Sequence, residues 1–228
     1  MGNKAVEAFK DEEIISSPCE RKYCLVEGDE FIAKKNVKII GKSGKEWGST
    51  EYFDSETDEL IFKTNYKTTG LGKRDVFIFD KSLKCVVTLK CEQNILKKNM
   101  LFVYRSKPMF DGQTAEKDGF YQCAEVEITT GMTEQSSVCS FLESADGAKT
   151  SIYAAKKISA MKFFALVRNS ATETTIAKAY EGPFSVSNPT QILEVSSGSD
   201  ILVAWLLATS VVSGGGSSAG ALAGAGVT

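Results

Sequence analysis

Between residues 23 and 195 apolar and polar positions alternate in short runs, each closed by turn residues. After Asp200 the alternation stops, and Ile201–Val212 read ILVAWLLATSVV, apolar on every face of a helix. Runs of period two at close, even spacing predict an antiparallel barrel or sandwich. A helix that is apolar all round has to be wrapped by protein. Together the two signals predict a sheet curled around one greasy C-terminal helix.

The predicted strands are 36–40, 59–67, 74–80, 83–92, 98–106 and 119–129, followed by 138–143, 150–156, 162–168, 172–180 and 191–195. Between them lie the breakers Gly41-Lys42-Ser43-Gly44, Gly70-Leu71-Gly72, Asp111-Gly112, Asp146-Gly147 and Gly182-Pro183. Alternation sets the inward face. Cys85, Val87, Leu89 and Cys91 share one side of their strand, and Ala124, Val126 and Ile128 face away from Glu125 and Glu127. For the helix, Ser199 reads as the N-cap, Asp200 as an anion in the first turn and Gly214 as the terminator. About thirteen residues span roughly 20 Å, short of the roughly 30 Å hydrocarbon layer and close to the height of a barrel. The expected organisation is a flexible segment over 1–20, a barrel over 21–213 with its central helix at 200–213, and a Gly/Ala/Ser-rich tail over 214–228. Gly216, Gly220 and Gly224 repeat every fourth residue, but that tail lacks the bulky apolar residues that drive membrane insertion.

Composition narrows the chemistry. The chain has 228 residues, 43% hydrophobic and 25% charged, with a net charge of −2, enough for one domain with a proper core and no electrostatic sink for nucleic acid. It has no histidine, which removes Ser-His-Asp and Cys-His catalysis and His-ligated metals. The six cysteines form no C-x-x-C pair and read as reduced thiols, Cys19 and Cys24 preceding the barrel and expected to be accessible. The start MGNKAVEAFKDEE carries acidic residues where a signal peptide has its apolar core, so an intracellular location is expected. Val6 stands where an acylated Gly2 would call for Ser or Thr.

Gly41-Lys42-Ser43 resembles the end of a phosphate-binding loop, but Asn36 occupies the position of its first glycine and no amphipathic helix follows, so it reads as a turn. Acidic pairs such as Asp29-Glu30 and Asp58-Glu59 have no calcium-loop spacing. No residue qualifies as catalytic, and no cofactor or metal is expected. Basic clusters occur at Lys34, Lys35 and Lys38, at Lys97 and Lys98, and at two positions flanking turns at a barrel end: Lys73 with Arg74, and Lys156 with Lys157. Long cationic side chains there can reach a common anionic surface, which makes these four the candidate anionic-lipid-binding residues.

The segment LIFKTNYKTTGLGKRDVFIFDKSLKCVVTLK, followed by AKAYEGPF and QILEVSSGSDILVAWLLAT, resembles the LURP-one-related branch of the tubby C-terminal-like superfamily over residues 31–213. The resemblance implies a closed antiparallel barrel of about twelve strands with the apolar helix threaded through its centre. Relatives in that superfamily include phosphoinositide binders and phospholipid scramblases, and the branch itself is associated with defence responses. The chain lacks the scramblases' Asp-rich calcium segment, with only Asp200 before the helix, and lacks their cysteine run. The expected function is non-enzymatic binding inside the cell by a monomer. The expected partner is an anionic lipid such as a phosphoinositide, or a protein, from the cytoplasm or the membrane periphery. The alternative is a membrane-attached, scramblase-like protein with a lipid-inserted C-terminal segment.

Overall fold

The computed structural model describes residues 2–70, 73–92, 99–116, 118–130, 135–158, 164–181 and 191–212. Twelve strands close into one antiparallel barrel: β1 (Val37–Ser43), β2 (Ser49–Asp54), β3 (Leu60–Gly70), β4 (Lys73–Phe79), β5 (Cys85–Glu92), β6 (Asn99–Arg105), β7 (Tyr121–Thr130), β8 (Gln135–Leu142), β9 (Lys149–Lys157), β10 (Phe164–Asn169), β11 (Thr175–Glu181) and β12 (Gln191–Val195). Each strand pairs with the next, and β12 returns to β1, from Val37 opposite Val195 to Gly41 opposite Gln191. Helix α1 (Gly2–Asp11) lies outside against β10, and helix α2 (Ile201–Val212) is enclosed by the wall.

The helix sits off-centre, closest to β7 through β12. Side-chain size explains the offset. The near wall presents Ala155, Ala165, Ala177 and Ala179, all buried, which allow close approach. On the far side Trp205 reaches across to β2 and β3, edge-on to Tyr52 and Phe62 at 5.7 and 5.6 Å, and those two rings stack at 4.3 Å. Leu202, Leu206 and Leu207 are fully enclosed, and burial of each such side chain contributes about 2 kcal/mol.

A hydroxyl inside an apolar lumen needs an acceptor. The three hydroxyls that interrupt the greasy surroundings find theirs on carbonyls of the helix itself. Thr209 donates to the carbonyls of Trp205 (2.8 Å) and Leu206 (3.1 Å), Ser210 donates to Leu207 (2.8 Å), and Ser137 reaches the same Leu207 oxygen from β8 at 3.4 Å.

At the other end the cap differs from expectation. Asp200, not Ser199, is the N-cap: its Oδ1 accepts from the backbone N–H of Leu202 (2.8 Å) and Val203 (3.1 Å), while Oδ2 accepts from Leu25 (2.9 Å). Ser199 is occupied with the Ser196 hydroxyl instead. An aspartate one residue nearer the helix wins because its two carboxylate oxygens serve three donors, more than the two lone pairs of a hydroxyl can accept.

The first twenty residues also depart from the flexible segment expected. Beyond α1, whose Phe9 is buried against Phe164 and Tyr180, the chain runs as a strap along the barrel. The N–H of Ile15 donates to Thr175, and that of Cys19 donates to Gly198. Gly198 has φ +84° and lies so close to Pro18 that a Cβ would stand 3.1 Å from the Pro18 Cα, so the strap can cross there only over a glycine.

Every predicted strand run is a strand, and one strand was missed. The six residues of β2, STEYFD, include only two bulky apolar side chains, too few to register as an alternating run. The turn read at Gly41-Lys42-Ser43 is in fact the end of β1. A Cβ on Gly41 would stand 2.9 Å from the Tyr52 ring, so the glycine is a strand residue that makes room for an aromatic neighbour. Leu71-Gly72, Gly182-Pro183, Gly214 and the tail lie outside the described residues.

The inward thiol face holds for Cys91 and fails for Cys85, which is half-buried. A bulge where Ile78 faces Val87 but Phe79 faces Cys85 shifts the alternation and sends Val86 into the core. Cys24, expected to be accessible, is buried because the strap folds under the barrel, and Cys19 beside it is half-buried. Burial pushes the Cys91 and Cys123 thiols up to about 12. Native alkylation followed by peptide mapping should reach Cys19 and Cys85 first and leave Cys24, Cys91, Cys123 and Cys139 until the protein unfolds. Early labelling of Cys91 or Cys139 would contradict this packing.

Candidate functional site

Because all neighbouring strands are antiparallel, the ends of odd strands and the starts of even strands share one end of the barrel. That end is where α2 finishes; the opposite end is covered by the strap and by the Asp200 cap. Lys73 and Arg74 start β4, and Lys156 and Lys157 finish β9, so the four nominated residues lie at the same, distal end. They are not adjacent. Five strand positions separate β4 from β9, about 24 Å along the wall at the usual ~4.8 Å per strand.

The two pairs also split by face. Lys156 is exposed on the outer wall, whereas Lys157, in register with Ala165, belongs to the alternate set with Tyr153 and Ala155 and is half-buried at the rim. Arg74 alternates with the core residues Val76 and Ile78, and its guanidinium sits 5.4 Å from the Tyr66 ring centroid. The Lys73 side chain lies outside the described residues, as do Lys97 and Lys98. Lys35 and Lys38 belong to the other end of the barrel, where they pair with Glu56 and with Glu194 (3.8 Å).

Two features escaped the sequence. The first is Trp47 in the β1–β2 turn. It is 84% exposed, with its ring tilted at 52° against Tyr66 at 5.3 Å, so that Trp47, Tyr66 and Arg74 form a row of contacts at the distal rim. An indole beside a turn glycine was visible in Trp47-Gly48, but no periodic pattern surrounds it to draw notice. The second is a groove of about 270 Å³ on the outer wall of β8, β9 and β10. Its floor is Val138, Ala154 and Leu166, with Ser136 and Lys156 toward the distal end and Arg168 at the other. Arg168 is engaged by Glu12 of the strap at 2.9 Å, and the Thr175 hydroxyl also donates to Glu12. Thr175 first, and Arg168 next, hold the Glu12 carboxyl below its ordinary range against the opposing effect of burial.

The arrangement offers cation and aromatic contacts at the rim and an apolar floor flanked by cations in the groove. Among the described residues no three His, Cys, Asp or Glu side chains stand close enough to hold a metal ion. Among them also, no helix is long and apolar enough to cross a membrane.

No protein-family model matches the chain, and no curated protein does. Among solved structures it is similar to the crystal structure of a protein of unknown function from Bacteroides fragilis, 12% identical over 66% of this chain and 85% of that chain, with a TM-score of 0.26. Likeness at that level carries no argument for either protein's role.

Proposed function

We propose that this protein is a non-enzymatic binding module of the LURP-one-related type, acting at the cytoplasmic face of membranes by docking its distal barrel end on anionic lipid, phosphoinositide included. The observation that carries the reading is Trp47, an almost fully exposed indole that touches Tyr66, which in turn lies against Arg74, at the same barrel end as Lys156 and Lys157. Indole rings settle at the boundary of headgroup and acyl chain, and each nearby Lys or Arg contributes about 1 kcal/mol toward an anionic surface. The C-terminal end of α2, its negative pole, points to this rim, and its last turn contains no basic residue. The competing reading, a lipid-inserted C-terminal segment, would have to rest on residues 213–228, because Ile201–Val211 are enclosed by the wall.

The test is vesicle co-sedimentation with and without phosphoinositide, at low and high salt. Replacing Lys73, Arg74, Lys156 and Lys157 together by alanine should weaken binding at least tenfold at low salt and erase its salt dependence. Trp47→Ala should weaken it by a smaller factor that salt does not change. Binding that neither variant alters, or no binding at all, leaves a protein partner as the ligand.

A further inference from the structure

The strap folds back over a single 3-10 turn, Arg21–Tyr23, which brings Cys19 and Cys24 together with their sulfurs 3.0 Å apart. The residues around them fix the pair from several sides. The N–H of Cys19 donates to the Gly198 carbonyl, the Tyr153 hydroxyl donates to the Cys19 sulfur at 3.2 Å, and the buried Arg105 donates to the Cys24 carbonyl at 3.2 Å. The next residue, Leu25, gives its N–H to Asp200. Cys19 is half-buried and Cys24 is 1% exposed. One thiol is thus open to a small oxidant while its neighbour is shielded and already within van der Waals contact. A disulfide needs the sulfurs at about 2.05 Å, so closure takes about 1 Å of side-chain rotation.

We propose that Cys19 and Cys24 form a peroxide-sensitive disulfide site, Cys19 reacting first and Cys24 resolving. In the first step the Cys19 sulfur attacks one oxygen of hydrogen peroxide. An S–O bond forms, the O–O bond breaks, and the departing hydroxide takes the thiol proton to leave as water. In the second step the Cys24 sulfur attacks the sulfur of the resulting sulfenic acid. An S–S bond forms, the S–O bond breaks, and the Cys24 proton leaves with the hydroxide as a second water. Two thiols are oxidised by two electrons and one peroxide is reduced. The assignment of order rests on access, Cys19 being half-buried and Cys24 enclosed, and the hydrogen bond to Cys19, with burial next, pushes the Cys24 thiol well above the ordinary thiol range, which suits a resolving residue and not an attacking one.

The test treats the full chain with equimolar hydrogen peroxide, quenches it, and alkylates it after denaturation. The expected product is a monomer lighter by about 2 Da before alkylation, with four of the six cysteines alkylated and a crosslinked Cys19–Cys24 peptide that reductant releases. Cys24→Ser should instead accumulate sulfenic acid at Cys19, captured by a dimedone probe about tenfold more than in wild type. Six alkylatable thiols in treated wild type, a Cys19-linked dimer, or oxidation confined to Cys85 would each overturn the proposal. If the serine variant fails to fold, the wild-type peptide map still decides between these outcomes.

Discussion

Replacing Leu206 by aspartate should leave no folded protein. Leu206 is fully enclosed on a helix surrounded by wall residues, and the buried cations among the described residues, Arg105 and Lys178, are held by the carbonyls of Cys24 and Lys10. An unpaired buried carboxylate costs several kcal/mol, to which the lost leucine contacts add about 2 kcal/mol or more. The total is comparable to the whole stability of a domain, about 5–15 kcal/mol. Leu206→Ala is the graded counterpart and should lower stability by about 2–5 kcal/mol while keeping the transition cooperative. Denaturant melts followed by tryptophan fluorescence read both, because Trp205 adjoins the site. A soluble Leu206→Asp protein with a sharp transition would show that the helix is not the core of the barrel.

The second large effect belongs to Asp200. Its alanine variant strands the N–H groups of Leu202, Val203 and Leu25 together. Loss of the cap and of buried acceptors should cost on the order of 3–5 kcal/mol. Asp200→Asn keeps an oxygen for the helix but turns an amino group toward Leu25, and about 1–3 kcal/mol is expected. The two variants also differ from wild type in pH dependence. Burial pushes the Asp200 carboxyl up to about 6, against the pull of the Leu25, Val203 and Leu202 N–H groups, from an ordinary value near 3.8. A carboxyl whose folded value is raised contributes most below its unfolded value and progressively less as pH rises to the folded one. The stability of wild type minus that of Asp200→Asn should therefore fall between about pH 4 and pH 6 and level off above. A difference that is flat or rises with pH over this window would mean that the hydrogen bonds outweigh burial at this carboxyl.

The elements most legible in the sequence were those whose burial follows one period. The wall residues of β7, Ala124, Val126 and Ile128, and the all-apolar α2 announced themselves because every inward position is apolar and nothing interrupts the pattern. β2 stayed hidden because its inward positions are Thr50 and Tyr52, and Thr50 is polar although buried. Cys85 was misplaced because a single extra residue at a bulge reverses the side of everything before it, which no local pattern records. The docking of the strap was illegible for a different reason. Its anchors, Cys19 on the Gly198 carbonyl and Leu25 on the Asp200 carboxylate, join residues far apart in the chain through backbone N–H donors, which no side-chain pattern marks. At the candidate site, topology placed Lys73, Arg74, Lys156 and Lys157 at one end as the turn positions suggested, but on different faces and on distant strands. The row of Trp47, Tyr66 and Arg74 spans a turn and two strands and exists only in three dimensions.

The helix that fills the lumen is also the element that follows β12 in the chain, and β12 is the strand that must find β1 to close the wall. During synthesis the ribosome therefore releases every strand before it releases the helix that fills their lumen. Until Ile201–Val212 emerge, the nascent sheet has an unfilled apolar face and two unpaired edges, and its closing contact joins the first strand to the last. Loop closure over such a span is costly before it is rewarded, and exposed edges recruit other chains. Production of this protein is thus expected to depend on chaperone holding late in translation, and a chain ended before Ile201 should aggregate where the full chain does not.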